Sequence, residues 1–156
     1  MKKKFIPVNE PLIGKEEKKY LISCISKNQI SSSGIYVKEF EKKFAKKVRR
    51  KYAVSVSNGT AAIQLAFESL NLKKGDEVIV PSFTIISCIL PIIRLGARPV
   101  LVDCDPRTWN MDVEKTINLI TKKTKAIILV NIYGLCVDMD KILNQCALFL
   151  GIVVCC

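Results

Sequence analysis

The segment best suited to chemistry is residues 57–62, where a polar glycine turn joins an apolar run to a helical pattern. Residues 53–56 predict a short buried strand, and Ser57, Asn58 and Gly59 are typical turn and N-cap residues. A helix that begins this way leaves backbone N–H groups unpaired at the positive end of its dipole. The sequence therefore predicts a seat for a phosphate, although ordinary strand-to-helix turns show the same pattern.

The elements that must position this turn alternate regularly between strands and helices. Strands are predicted at residues 77–80, 99–102, 126–130 and 151–154, with helices at 59–70, 82–94, 112–121 and 138–149. Two further helices are predicted before the turn, at residues 15–26 and 37–48, and the second of them is amphipathic. Strands that are apolar throughout and separated by helices indicate a mostly parallel sheet that is covered on both faces.

Four polar or glycine-bearing segments follow strands and so fall at one edge of the predicted sheet. They are residues 57–61, 81–84, 103–105 and 131–134. Ligands of open α/β sheets bind beyond the carboxyl ends of the strands, so this edge is the predicted ligand site. The first turn lacks the G-x-G-x-x-G pattern of dinucleotide-binding domains, and no G-K-[ST] of a P-loop is present.

Composition excludes several classes of function. The 156 residues carry a net charge of +11, seven cysteines and no histidine. Histidine-dependent triads are therefore excluded, and the odd, scattered cysteines favour neither a disulfide framework nor a zinc site. The densest basic run, residues 46–51, ends a mixed-charge amphipathic helix, so no nucleic-acid partner is predicted. The apolar run at 85–93 is too short for a membrane span, and a cytoplasmic location without membrane association is expected.

Six motifs in a fixed order carry a resemblance to a known family. They are I-S-S-S-G at 30–34 with V-K-E-F-E at 37–41, S-N-G-T-A-A at 57–62, G-D-E-V-I-V-P-S-F-T at 75–84, V-D-C-D-P at 102–106, T-W-N-M-D at 108–112, and I-Y-G at 132–134 with D-M-D at 138–140. This order resembles the DegT/StrS family of pyridoxal-phosphate-dependent nucleotide-sugar aminotransferases, and perosamine-synthetase-like members in particular. The resemblance covers nearly all of residues 5–145.

The resemblance implies a type I aminotransferase fold, with a mostly parallel sheet and flanking helices, truncated after about the fifth strand. Residues 1–35 would form an N-terminal helical segment, and residues 36–156 an incomplete large cofactor-binding domain. The backbone N–H groups of Gly59, Thr60 and Ala61, with the Thr60 hydroxyl, would bind the phosphate of pyridoxal 5′-phosphate (PLP). Ile85 would lie against the pyridine ring where the family usually has an aromatic residue. A core position for Ile85 is an equal alternative.

The resemblance also implies a reaction: transfer of an amino group to a keto group of a nucleotide-linked sugar, in amino-sugar biosynthesis. Partners would be the nucleotide sugar, an amino donor and a second subunit of a homodimer. The family's Schiff-base lysine and the aspartate on the pyridine nitrogen match no position of this sequence, so no catalytic residue is assigned. The isolated chain is expected to be inactive and not to bind the cofactor covalently. A non-catalytic binding module that pairs with an intact relative, or part of a PLP-dependent sugar dehydratase, are the alternatives.

Overall fold

The structure, a computed structural model, describes residues 5–7, 9–149 and 152–155. The chain forms two compact units, residues 1–55 and 56–156. The boundary expected from the sequence falls earlier, after residue 35. None of the helices in the described residues is both long enough and apolar enough to cross a membrane.

The first unit contains two helices, α1 (Lys15–Ser26) and α2 (Ile35–Lys47), close to their predicted positions. Tyr20 and Tyr36 meet edge to face with ring centroids 5.4 Å apart, and the Tyr36 hydroxyl lies 2.9 Å from Ser23 Oγ. The Glu41 carboxylate of α2 accepts hydrogen bonds from the backbone N–H of Ser55, at 2.9 Å, and from its hydroxyl, at 3.1 Å. Glu41 therefore fixes the end of this unit to α2.

The second unit is a parallel sheet flanked by helices, as predicted. Its elements are α3 (Gly59–Ser69), β1 (Glu77–Pro81), α4 (Leu90–Arg94), β2 (Arg98–Val102), α5 (Val113–Asn118), β3 (Thr124–Leu129), α6 (Met139–Phe149) and β4 (Ile152–Cys155). Short 3₁₀ turns occur at Ile86–Cys88 and Ile132–Gly134. The strand order is β2-β1-β3-β4, and every pair of neighbours is parallel.

Two sequence predictions differ from the structure. Residues 53–56 are not a strand, because no described strand pairs with them, and the side chain of Val54 is 70% exposed. Apolar β-branched residues favour extended backbone but do not by themselves supply a hydrogen-bonding partner. The helix predicted at 82–94 is confined to a 3₁₀ turn and the five residues of α4, since Pro91 lacks the N–H needed to continue a helix from before it.

The core lies on both faces of the sheet because neighbouring strand residues point in opposite directions. On one face, Val78 and Val80 of β1 pack with Phe67 of α3. On the other, Ile79 packs with Met111 and Ile142. All six side chains are at most 2% exposed. The helix that carries the predicted phosphate turn is thus fastened to the centre of the sheet.

The amino end of the sheet is closed by a buried carboxylate. Glu77, 6% exposed, accepts hydrogen bonds from Arg98 Nη2 at 2.9 Å and from Thr121 Oγ1 at 2.7 Å. A buried charge is tolerated when it is paired and hydrogen-bonded, as this one is. Glu77 therefore has a structural role at the end of the sheet opposite to the candidate site.

Candidate functional site

The N-terminus of α3 presents unpaired hydrogen-bond donors. The side-chain oxygen of Asn58 accepts the N–H of Ala61 at 2.9 Å, and its backbone oxygen accepts the N–H of Ala62 at 3.1 Å. Among the residues that the structure describes, the N–H groups of Gly59 and Thr60 have no hydrogen-bond partner. A Cβ built on Gly59 would meet no atom within 4 Å, so other residues do not crowd the Cα of Gly59.

Three backbone N–H groups were expected to bind the phosphate. In the structure two of them, those of Gly59 and Thr60, are free and lie next to each other at the start of α3. The N–H of Ala61 is already capped by Asn58. An acceptor-only anion would meet the N–H groups of Gly59 and Thr60 at the positive end of an eleven-residue helix. The local geometry suits a phosphate.

The hydroxyl of Thr60 has a partner that sequence reasoning missed. Thr60 Oγ1 donates to Ser87 Oγ at 3.0 Å, across a separation of 27 residues. Ser87 lies in the 3₁₀ turn Ile86–Cys88, in a stretch that the sequence presents as an apolar run. The available signal was that Ser87 carries the one hydroxyl group in residues 85–93.

Ile85 lies just before this 3₁₀ turn, in extended conformation. Its side chain is 65% exposed, so the alternative of a core position is wrong. An exposed branched aliphatic side chain is available for contact with a flat ring.

An apolar cleft lies at the carboxyl edge of the sheet. It has a volume of about 460 Å³ and is lined by Phe83, Thr108, Trp109, Ile132, Tyr133 and Leu135. The rings of Phe83 and Trp109 are 5.2 Å apart and tilted. Two of the four segments predicted to meet at this edge, residues 81–84 and 131–134, contribute side chains to this cleft, but its individual side chains were not predicted. A pattern of strands and turns does not say which way an aromatic residue in a loop will point.

Asn110 holds the loop that forms one side of the cleft. Its Nδ2 donates to the carbonyl of Leu135 at 2.9 Å, and its Oδ1 accepts the N–H of Ile132 at 3.1 Å. Asn110 is 4% exposed. Tyr133, between the two bonded residues, has a φ of 49°, which is unusual for a bulky residue. The strand-to-helix turn predicted at Tyr133 and Gly134 is thus a 3₁₀ turn fastened by Asn110.

The carboxylates of the two aspartates that follow β2 form ion pairs with neighbouring cations. The hydrogen bond from Lys115 Nζ, helped by the Cys104 N–H, holds the pKa of Asp103 below its usual range. The side-chain hydrogen bonds of Arg107, followed by its backbone N–H, likewise lower the pKa of Asp105. Both carboxylates are therefore ionised at neutral pH.

Replacing Lys115 with methionine is expected to raise the pKa of Asp103 towards its ordinary value, because the main hydrogen bond to the carboxylate is lost. A lowered folded-state pKa adds stability above the unfolded-state pKa, and this stability disappears as pH falls through the folded-state value. The variant should therefore lose less stability on acidification than the parent. Carboxyl NMR titration measures the pKa. Lys122→Met, which removes a cation at the amino end of the sheet, should leave the Asp103 pKa unchanged, and an unchanged pKa in Lys115→Met would contradict the assignment.

Comparison with known proteins gives a consistent set of matches. Residues 11–154 match the sequence profile of the DegT/DnrJ/EryC1/StrS aminotransferase family. The GDP-perosamine synthase of Escherichia coli O157:H7 is 45% identical over 141 residues, which are 90% of this chain and 39% of that protein. The chain thus spans about two fifths of the length of this relative.

Solved structures show the same fold over nearly the whole chain. An aminotransferase from Psychrobacter cryohalolentis superposes with a TM-score of 0.85 at 33% identity, covering 93% of this chain and 37% of that one. The E. coli GDP-4-keto-6-deoxy-D-mannose-3-dehydratase with bound hydrated PLP superposes with a TM-score of 0.86 at 34% identity, covering 96% and 40%. The PLP-dependent aminotransferase fold expected from the sequence is confirmed.

Proposed function

Because the chain belongs to the DegT/DnrJ/EryC1/StrS aminotransferase family, we propose that it forms the N-terminal part of a PLP-dependent aminotransferase acting on a nucleotide-linked keto sugar. The observation that carries this proposal is the family match over residues 11–154. The similarity to a GDP-perosamine synthase supports a nucleotide sugar as the substrate. An amino donor and a second subunit complete the proposed set of partners.

The N-terminus of α3 is the proposed seat of the cofactor phosphate. Gly59 and Thr60 offer free N–H groups, and the Thr60 hydroxyl can turn towards the same anion. The Ala61 N–H donates to the Asn58 side chain, and this hydrogen bond would orient the turn that binds the phosphate. Ile85 would contact the pyridine ring through its exposed side chain. When bound, PLP supplies an electron sink for amino transfer, and these residues bind and orient it.

A sugar dehydration is the second candidate reaction, because a PLP-containing dehydratase superposes on 96% of the chain. Both reactions would use the same phosphate seat. In the longer protein of which this chain would be the N-terminal part, ¹⁵N-labelled glutamate separates the two reactions: amino transfer places the labelled nitrogen in the sugar, and dehydration does not. We favour amino transfer on the family match.

Pyridoxamine 5′-phosphate is the best probe of the seat, because its amine does not react with the many surface lysines as an aldehyde would. Titration into the isotope-labelled chain should shift the backbone amide signals of Gly59 and Thr60. Thr60→Val removes one hydroxyl donor while keeping the side-chain shape. We expect it to weaken binding about tenfold to a hundredfold, since a hydrogen bond to a charged group contributes roughly 1.5–3 kcal/mol.

Two controls make this result specific. Ser69→Ala removes a hydroxyl at the opposite end of α3 and should leave the affinity unchanged. Pyridoxamine without phosphate should not shift the Gly59 and Thr60 amides. If those amides stay in place with the phosphate compound, or move equally with pyridoxamine, the proposed seat is wrong.

A further inference from the structure

We infer that Ser87 is a positioning residue of the phosphate seat, which orients the Thr60 hydroxyl towards the bound anion. The inference rests on the proposed function, because it concerns the same seat. It starts from the 3.0 Å hydrogen bond between the two hydroxyl oxygens, which joins the first turn of α3 to the 3₁₀ turn Ile86–Cys88. No motif quoted from the sequence includes Ser87.

The two hydroxyl groups are carried by elements that share one core. Ser87 is followed by Cys88, which is 1% exposed and packs in the cluster that contains Ile63 and Phe67 of α3. Buried packing of this kind resists displacement, because protein interiors are as dense as organic crystals. The backbone that carries Ser87 is therefore anchored to α3 through their shared core.

The number of hydrogens that the Thr60 and Ser87 hydroxyl groups can donate explains the role of Ser87. A hydroxyl group has one hydrogen to donate and two lone pairs, whereas an ionised phosphate only accepts. Thr60 donates to Ser87 in the structure. To donate to a phosphate, Thr60 must turn its hydrogen away from Ser87, and the Ser87 hydroxyl can then donate to Thr60 instead.

Reversal of this hydrogen bond keeps both oxygens satisfied in both states. It also strengthens the Thr60 donor, because a hydroxyl that accepts a hydrogen bond becomes a better donor to its own acceptor. Without Ser87, the Thr60 hydroxyl would lose its partner within the protein and its preferred orientation. The phosphate would then be bound less tightly, while the pyridine-ring contacts would not change.

A double-mutant cycle on the intact chain tests this role. Ser87→Ala is expected to weaken pyridoxamine 5′-phosphate binding about threefold to tenfold, the range for loss of one net hydrogen bond. In the Thr60→Val background, the same replacement should have no further effect, because the group that Ser87 orients is gone. Ser87→Thr, which keeps a hydroxyl at this position, should restore most of the affinity.

The readouts separate a positioning role from a structural one. Affinity is obtained from the Gly59 and Thr60 amide shifts, and the urea unfolding midpoint of Ser87→Ala should equal that of the parent. Unchanged affinity in Ser87→Ala, or a full additional loss in the Thr60→Val background, would overturn the role of Ser87. If Thr60→Val still weakens binding in that case, the phosphate seat stands. If the parent chain shows no shift at Gly59 and Thr60, the seat itself is wrong and the inference fails with it.

Discussion

Replacing Phe67 with alanine is expected to destabilise the second unit by about 3–5 kcal/mol, the usual cost of removing a large aromatic side chain from a closed core. Phe67 is fully buried and packs in the cluster between α3 and the sheet. Its loss would leave a cavity below the helix whose first turn forms the proposed phosphate seat. Urea unfolding followed by the fluorescence of Trp109, the one tryptophan of the chain, measures the change.

Leu65→Ala is the matched control for Phe67→Ala. Leu65 lies on the same helix but is 44% exposed, so its replacement should cost well under half as much. Binding of pyridoxamine 5′-phosphate should also weaken in Phe67→Ala, because the donors of Gly59 and Thr60 are positioned by this helix. Equal unfolding midpoints for the two variants would show that α3 is not held to the sheet through Phe67.

The strands of the sheet could be predicted because each contains a run of consecutive apolar residues. The pattern at residues 77–80 and 126–130 gives β1 and β3 to within two residues at each end. A strand that is buried on both faces needs a run of apolar residues. The turn residues between such runs show where each strand ends and the next helix begins. The segment at 53–56 also contains β-branched valines, but no described strand pairs with it, because strand pairing depends on the whole fold.

The start of α3, the proposed phosphate seat, could be predicted for a different reason. The cap of α3 depends on Asn58, and its free donors depend on Gly59 and Thr60, which are neighbours in the sequence. By contrast, the contact of Thr60 with Ser87 joins residues 27 positions apart. The link between Asn110 and Leu135 spans 25 positions. No periodicity encodes such pairs, because they arise only when the crossovers place two loops side by side.

Asn110→Ala is expected to destabilise the second unit by about 1–3 kcal/mol and to release one wall of the apolar cleft. The replacement leaves the carbonyl of Leu135 and the N–H of Ile132 without their partner. A part-buried polar group without a partner lowers stability by more than a formed hydrogen bond raises it. The 3₁₀ turn between them should then lose its fixed geometry. Circular dichroism during urea unfolding measures stability, and the emission maximum of Trp109 reports on the cleft.

Asn110→Asp sharpens the same prediction through pH. An aspartate can still accept the Ile132 N–H, but its ionised form faces the Leu135 carbonyl without a hydrogen to donate. Its folded-state pKa is then raised, so the variant should be most stable below the unfolded-state value and lose stability as pH rises through the folded-state value. Asn118→Ala, at an exposed position of α5, should show neither effect. A pH-independent Asn110→Asp variant as stable as the parent would mean that the amide of Asn110 does not hold this loop.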